Sequence, residues 1–121
     1  MAKRVLIVDD SASMRQLLSF TLEKAGFQVA QGVNGKDGLT KLDKAQPNLI
    51  ISDLNMPEMD GIEFIRQLRT LPPFRLTPVL MLTTESDSTK KAQGKAAGAT
   101  GWIIKPFQPE QLLQVIARVL A

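Results

Sequence analysis

The apolar positions of this chain fall into two rhythms. Four short runs, Val5 to Val8, Leu49 to Ser52, Val79 to Leu82 and Trp102 to Ile104, are almost wholly apolar, and a weaker run spans Gln28 to Gln31. Runs this short that do not alternate with polar residues predict strands covered on both faces. The segments between them carry apolar residues at helical spacing instead. The first sets Met14, Leu17, Leu18, Thr21, Leu22 and Ala25 on one face, with Ser11 or Ser13 available as N-cap and Gly26 as the stop. Lys36 to Ala45 carries Leu39 and Leu42, and Pro47 follows it. Ile62, Ile65 and Leu68 mark a third helix closed by Pro72-Pro73, and Ser88 to Ala97 a fourth that ends at Gly98. Pro109, a favoured first helical residue, opens the last, which runs through Leu112, Leu113, Ile116, Val119 and Leu120.

Strand then helix, five times over, predicts an α/β fold: a doubly wound (βα)5 arrangement with a five-stranded parallel sheet and helices on both faces. Reactive sites in such sheets lie at the carboxyl ends of the strands. Those positions form an unusual set here. Asp9 and Asp10 follow the first strand, Asp53 closes the third, Thr83 and Thr84 follow the fourth, and Lys105 follows the fifth. A parallel sheet brings them to one edge, where three carboxylates repel one another unless a cation sits among them. Oxygen ligands point to a hard ion such as Mg²⁺. Acids, a divalent ion, a lysine and a hydroxyl together suit a phosphoryl group, whose oxygens need neutralising during transfer.

Composition narrows the acceptor. The chain has no histidine and no cysteine, which excludes a histidine phosphoacceptor, a thiol nucleophile, thiolate metal sites and a disulfide framework, and fits a reducing compartment. A carboxylate or a hydroxyl remains, and carboxylates do form acyl phosphates. Asp53 is the better candidate, because it stands alone at its strand end while Asp9 and Asp10 are paired to hold the ion. The length of 121 residues, with 44% hydrophobic and 22% charged, predicts one ordinary globular domain over residues 1–121. A net charge of +3 and pI near 9.5 raise nucleic acid as a partner, but the basic residues are dispersed and no such partner is expected. No apolar run approaches the ~18 residues that span a bilayer, so no membrane insertion is expected and the chain is placed in the cytoplasm.

These motifs resemble the receiver domain of two-component response regulators. The likeness is carried by Val5-Leu6-Ile7-Val8-Asp9-Asp10, Ser52-Asp53-Leu54-Asn55-Met56-Pro57-Glu58-Met59-Asp60-Gly61, Leu82-Thr83-Thr84 and Lys105-Pro106-Phe107, and it spans nearly the whole chain. Within that family it runs to the single-domain CheY-like chemotaxis regulators, through Asn55, Glu85 and the stretch Gly98 to Phe107. The resemblance implies a flavodoxin-like sheet with strand order 2-1-3-4-5 and no output domain. It implies that Asp53 is the phosphoacceptor, and that Asp10 and Asp53 bind Mg²⁺ through side chains, Asn55 through its backbone carbonyl and Asp9 largely through water. Lys105, before a cis Lys105-Pro106 bond, would bridge to the phosphoryl group, with Thr83 swinging toward it. Trp102 stands where the family carries a switch tyrosine or phenylalanine, so a bulkier indole would have to turn; strand alternation leaves it half exposed. Asn55 and Glu85 would set how long the phosphoryl group survives.

The implied partners are a CheA-like sensor histidine kinase as phosphodonor, a phosphatase, and an output protein, such as a flagellar motor switch, bound by the fourth helix, fifth strand and fifth helix. A monomer is expected, and no catalysis beyond the chain's own phosphorylation and dephosphorylation. Each residue has a plainer reading: Asp9-Asp10 as a helix cap, Asp53 as a turn residue, Thr83 as a strand end, Lys105 and Glu85 as solvated surface groups. Their coincidence at successive strand ends is what the plain readings leave unexplained. Three other roles start from the same residues: a phospho-aspartate phosphatase, which needs a second acid where Asn55 stands, a pseudo-receiver, and a phosphate sink or relay without an output partner.

Overall fold

The computed structural model describes residues 3–84 and 88–121. Strands β1 (Arg4–Val8), β2 (Gln28–Gly32), β3 (Leu49–Asp53), β4 (Val79–Thr83) and β5 (Gly101–Ile104) alternate with helices α1 (Ala12–Lys24), α2 (Gly35–Ala45), α3 (Gly61–Arg69), α4 (Ser88–Ala97) and α5 (Pro109–Leu120). The strands form one parallel sheet in the order β2-β1-β3-β4-β5, as expected.

Although the strands do not alternate apolar with polar, their side chains still alternate between faces. Leu6, Val8, Ile50, Val79 and Met81 pack with Leu42 of α2 and with Ile62, Phe64, Ile65 and Leu68 of α3. Val5, Ile7, Leu49, Ile51, Leu80, Leu82 and Ile103 pack on the other side against Leu18 and Leu22 of α1 and Leu112 and Ile116 of α5. Both faces are thus dry, which is why the strands read as unbroken apolar runs.

Local chemistry sets the helix ends. Of the two serines before α1, Ser11 is the cap: its Oγ accepts from Met14 N–H at 3.2 Å. Asn34 and Asp60 cap α2 and α3 in the same way, accepting from Asp37 and Glu63 N–H at 2.8 and 2.9 Å. Such caps stabilise by about 1 kcal/mol each.

Two expectations for α1 need correction. Leu17 is 46% exposed and Ala25 lies on the surface, because the helix meets the sheet through Leu18 and Leu22 and turns the preceding edge of the stripe outward. After α3 the chain makes a short 3-10 turn over Pro72–Phe74 that buries Phe74, an element absent from the sequence reading. The Arg69 guanidinium fastens this region, donating at 2.7 Å to each of the carbonyls of Phe74, Thr77 and Gly98. One side chain therefore ties the end of α3, the approach to β4 and the end of α4.

Candidate functional site

β1 and β3 are neighbours in register, with Val8 beside Ser52, so the residues that follow them meet at the carboxyl edge. It is also where the connections leave in opposite directions along the sheet, the usual place for a ligand in an open α/β fold. Asp9, Asp10 and Asp53 each present a carboxylate oxygen there, all within 4.8 Å of one another.

The three acids are held differently. Asp9 is buried and fixed at both oxygens: Oδ1 accepts from Ser11 N–H at 2.9 Å, and Oδ2 lies 3.3 Å from Lys105 Nζ. Asp53 is 8% exposed, and its Oδ1 lies 3.4 Å from the same ammonium. Asp10 is exposed, with no side-chain hydrogen bond or ion pair among the described residues. Burial pushes the Asp53 carboxyl above its ordinary value; Lys105 pulls it back, and the charges of Asp9 and Asp10 push it further up.

Lys105 reaches the acids from the far side of the sheet. Its N–H donates to the carbonyl of Thr83 at 2.7 Å, continuing the β4–β5 ladder one step beyond Ile104, and the following peptide bond to Pro106 is cis. Thr83 itself is fully buried at the end of β4. Through a parallel register, then, residues separated by about 50 and 100 positions converge: Lys105 pairs with Asp53 and Asp9 across 52 and 96 residues.

Trp102 is half-buried and sits beside Met81, packed against the α3 and α4 side of the core, while Ile103 is buried in the opposite layer. Alternation along β4 puts Thr83 on the same face as Met81, and hence as Trp102. The indole has room because α4 carries Gly94 at the contact: a Cβ there would lie 3.0 Å from Trp102 Cζ3. The bulk that tryptophan adds over tyrosine or phenylalanine is thus met by a missing side chain on the facing helix. Asn55 is exposed in the turn after β3. Glu85 lies outside the described residues.

One residue essential to the geometry carried no assignment in the sequence. Gly61, the first residue of α3, approaches so closely that a Cβ would overlap the carbonyl oxygen of Asp53 and lie 2.6 Å from Met81 Cε. Its N–H donates to the carbonyl of Leu54 at 2.8 Å. The Asp60-Gly61 step reads as a turn, which accounts for a glycine but not for what it touches.

Oxygen-only donors from two strand ends, one of them without a partner among the described residues, fit a hard divalent cation and leave Lys105 to offset part of the repulsion. A further anion brought to this edge meets the same ammonium.

Comparison with known proteins agrees with this arrangement. Residues 5–117 match the response regulator receiver domain. The chain is similar to the chemotaxis protein CheY of Thermotoga maritima, 34% identical over 120 residues covering 98% of each. It is 38% identical over 121 residues to the alkaline phosphatase synthesis transcriptional regulatory protein PhoP of Bacillus subtilis, of which it spans only 48%. Among solved structures, chemotaxis protein CheY4 of Vibrio cholerae superposes with a TM-score of 0.95 at 50% identity, covering 98% of this chain and 99% of that one.

Proposed function

The chain belongs to the response regulator receiver domain family of two-component signalling, and we propose that Asp53 is the residue on which it accepts the phosphoryl group. The observation that carries this reading is a buried carboxylate of raised pKa, paired to a lysine and clustered with two further acids at the carboxyl edge of the sheet. As a receiver it is a signalling phosphoacceptor and not a classical enzyme. The catalysis it performs is proposed to be confined to its own phosphorylation and dephosphorylation.

Asp10 and Asp53 would hold Mg²⁺ by their side chains, with the Asn55 carbonyl as a further ligand. Asp9, whose oxygens are already engaged by Ser11 and Lys105, would act through water. When bound, the ion supplies positive charge against the phosphoryl oxygens. Everything else falls to the chain. A carboxylate oxygen of Asp53 attacks phosphorus in line; a P–O bond forms as the P–N bond of a kinase phosphohistidine breaks, and its electron pair leaves with the imidazole. Lys105 stays beside Asp53 and donates to a phosphoryl oxygen. Asn55 stands where a phospho-aspartate phosphatase needs its second acid, and an amide cannot serve there as general acid or base.

The phosphoryl group brings about 1.5 to 2 negative charges to Asp53, in a site that already gathers three carboxylates. Its new acceptor oxygens draw the Thr83 hydroxyl, and the space Thr83 vacates lies on the face where Trp102 packs. The α4, β5 and α5 surface changes in consequence and alters affinity for an effector, a coupling of about 1–3 kcal/mol. The likeness to Vibrio cholerae CheY4 supports a chemotaxis effector such as a flagellar motor switch, with a CheA-like kinase as donor.

Incubation with Mg²⁺ and acetyl phosphate is expected to place one acid-stable, base-labile phosphate on the chain, and chelation of the metal to prevent it. A chain that takes up no label under these conditions is not a phosphoreceiver. Turnover of a chromogenic phosphomonoester is expected to be negligible, and sustained turnover would make the chain a hydrolase instead.

A further inference from the structure

Asp10 is the one acid of the cluster whose carboxylate no described side chain or backbone group holds. Its aim is set by the main chain. The peptide that joins it to Asp9 carries the Asp9 carbonyl, and Arg15, one turn into α1, donates to that oxygen from Nη1 at 2.6 Å. The guanidinium is braced in turn. Its Nε donates to Gln31 Oε1 at 3.2 Å, Gln31 Nε2 donates to Ser19 Oγ at 2.8 Å, and the Gln31 carbonyl accepts from Lys41 Nζ at 2.8 Å. The Asp9 N–H donates in turn to the Gly32 carbonyl through a longer bond, at 3.2 Å. No carboxylate pairs with Arg15 among the described residues. Its planar fork spans two neutral acceptors, a geometry that a lysine cannot reproduce.

We propose that Arg15 is a positioning residue for the divalent-cation site: by clamping the Asp9–Asp10 peptide it aims the free Asp10 carboxylate toward Asp53. The inference rests on the reading of this cluster as a Mg²⁺ site. Two consequences of Arg15 oppose each other. Its charge, close to the acids, repels an incoming cation, so electrostatics alone predicts tighter metal binding when it is removed. Loss of the clamp predicts the reverse, since groups that orient metal ligands from behind are worth about 10- to 100-fold in affinity. The sign of the change therefore separates the two.

Titration of the full chain with MgCl2 by isothermal calorimetry reads this directly. Arg15→Lys keeps the charge and loses the fork; Arg15→Ala loses both. Each is expected to bind Mg²⁺ about tenfold more weakly, with Gln31→Leu, which removes only the brace, weaker by a smaller factor. Labelling by acetyl phosphate should recover toward the unmodified rate as Mg²⁺ is raised, and the melting temperatures should stay close to that of the parent chain. If Arg15→Ala folds poorly, Arg15→Lys decides. Unchanged or tighter Mg²⁺ binding in the variants overturns the positioning role while leaving the receiver reading intact. Absence of Mg²⁺ uptake by the unmodified chain overturns both.

Discussion

Asp53→Asn is expected to abolish labelling by acetyl phosphate while making the protein more stable at neutral pH. The amide is isosteric, so the packing around residue 53 is kept, but it is not a nucleophile and the acyl phosphate has nowhere to form. The stability effect follows from the raised pKa of Asp53, for which burial is the largest cause. A carboxyl raised in the folded state binds its proton there more tightly than in the unfolded chain. Stability therefore falls as pH rises from the ordinary value of 3.8 through the folded-state value, and stays lower above it. Asn removes that penalty. It also removes a partner of Lys105, which keeps Asp9, so a net gain of about 1 kcal/mol, or ~4 °C in melting temperature, is expected. The gain should shrink as pH is lowered toward the carboxylate range. Full labelling of the variant would reassign the acceptor; a variant less stable than its parent at pH 7 would mean that the charge of Asp53 is stabilising where it lies.

Gly61→Ala carries the largest expected loss of stability. A single methyl would overlap the backbone carbonyl of Asp53 and crowd Met81 Cε at 2.6 Å and Leu54 Cα at 3.1 Å. Met81 has a flexible end that can retreat, but the carbonyl belongs to the central strand and cannot, short of moving β3 or lifting the start of α3. Overpacking against backbone is expected to cost about 3 kcal/mol, or ~10 °C in melting temperature. Because the strained atom is part of Asp53 itself, phosphorylation by acetyl phosphate should slow even at temperatures where the variant is folded. Calorimetric melting and initial labelling rates check the two parts. A melting temperature within ~2 °C of the parent would show that α3 can shift freely, and that the close approach to Asp53 is incidental.

Much of this was legible in the residues because it is local. Period, turn chemistry and caps placed all five strands and five helices, and α4 and α5 fall on Ser88–Ala97 and Pro109–Leu120 as expected. The acids and the lysine could be read as a group because a parallel sheet has one carboxyl edge. Other features depended on partners far along the chain. The sequence offered Ser11 and Ser13 equally, and the cap was decided by which hydroxyl meets Met14. Leu17 looks like a core residue on a helical wheel, yet the packing of α1 leaves it half exposed. An exposed-looking arginine in a first helical turn gives no hint that it reaches Asp9, and nothing around Gly94 announces the indole that lies on it.

The amino-acid sequence alone determined the order of elements, the parallel sheet and the kinds of groups at its reactive edge, because backbone preference and hydrophobic period act over a few residues at a time. Tertiary structure alone decided which oxygens of Asp9 and Asp53 face Lys105, that no described group holds the Asp10 carboxylate, and that the backbone of Asp53 leaves no room for a side chain at residue 61. Those distances are fixed by the register of strands and the seating of helices, which depend on the whole packed core and not on any one segment of it.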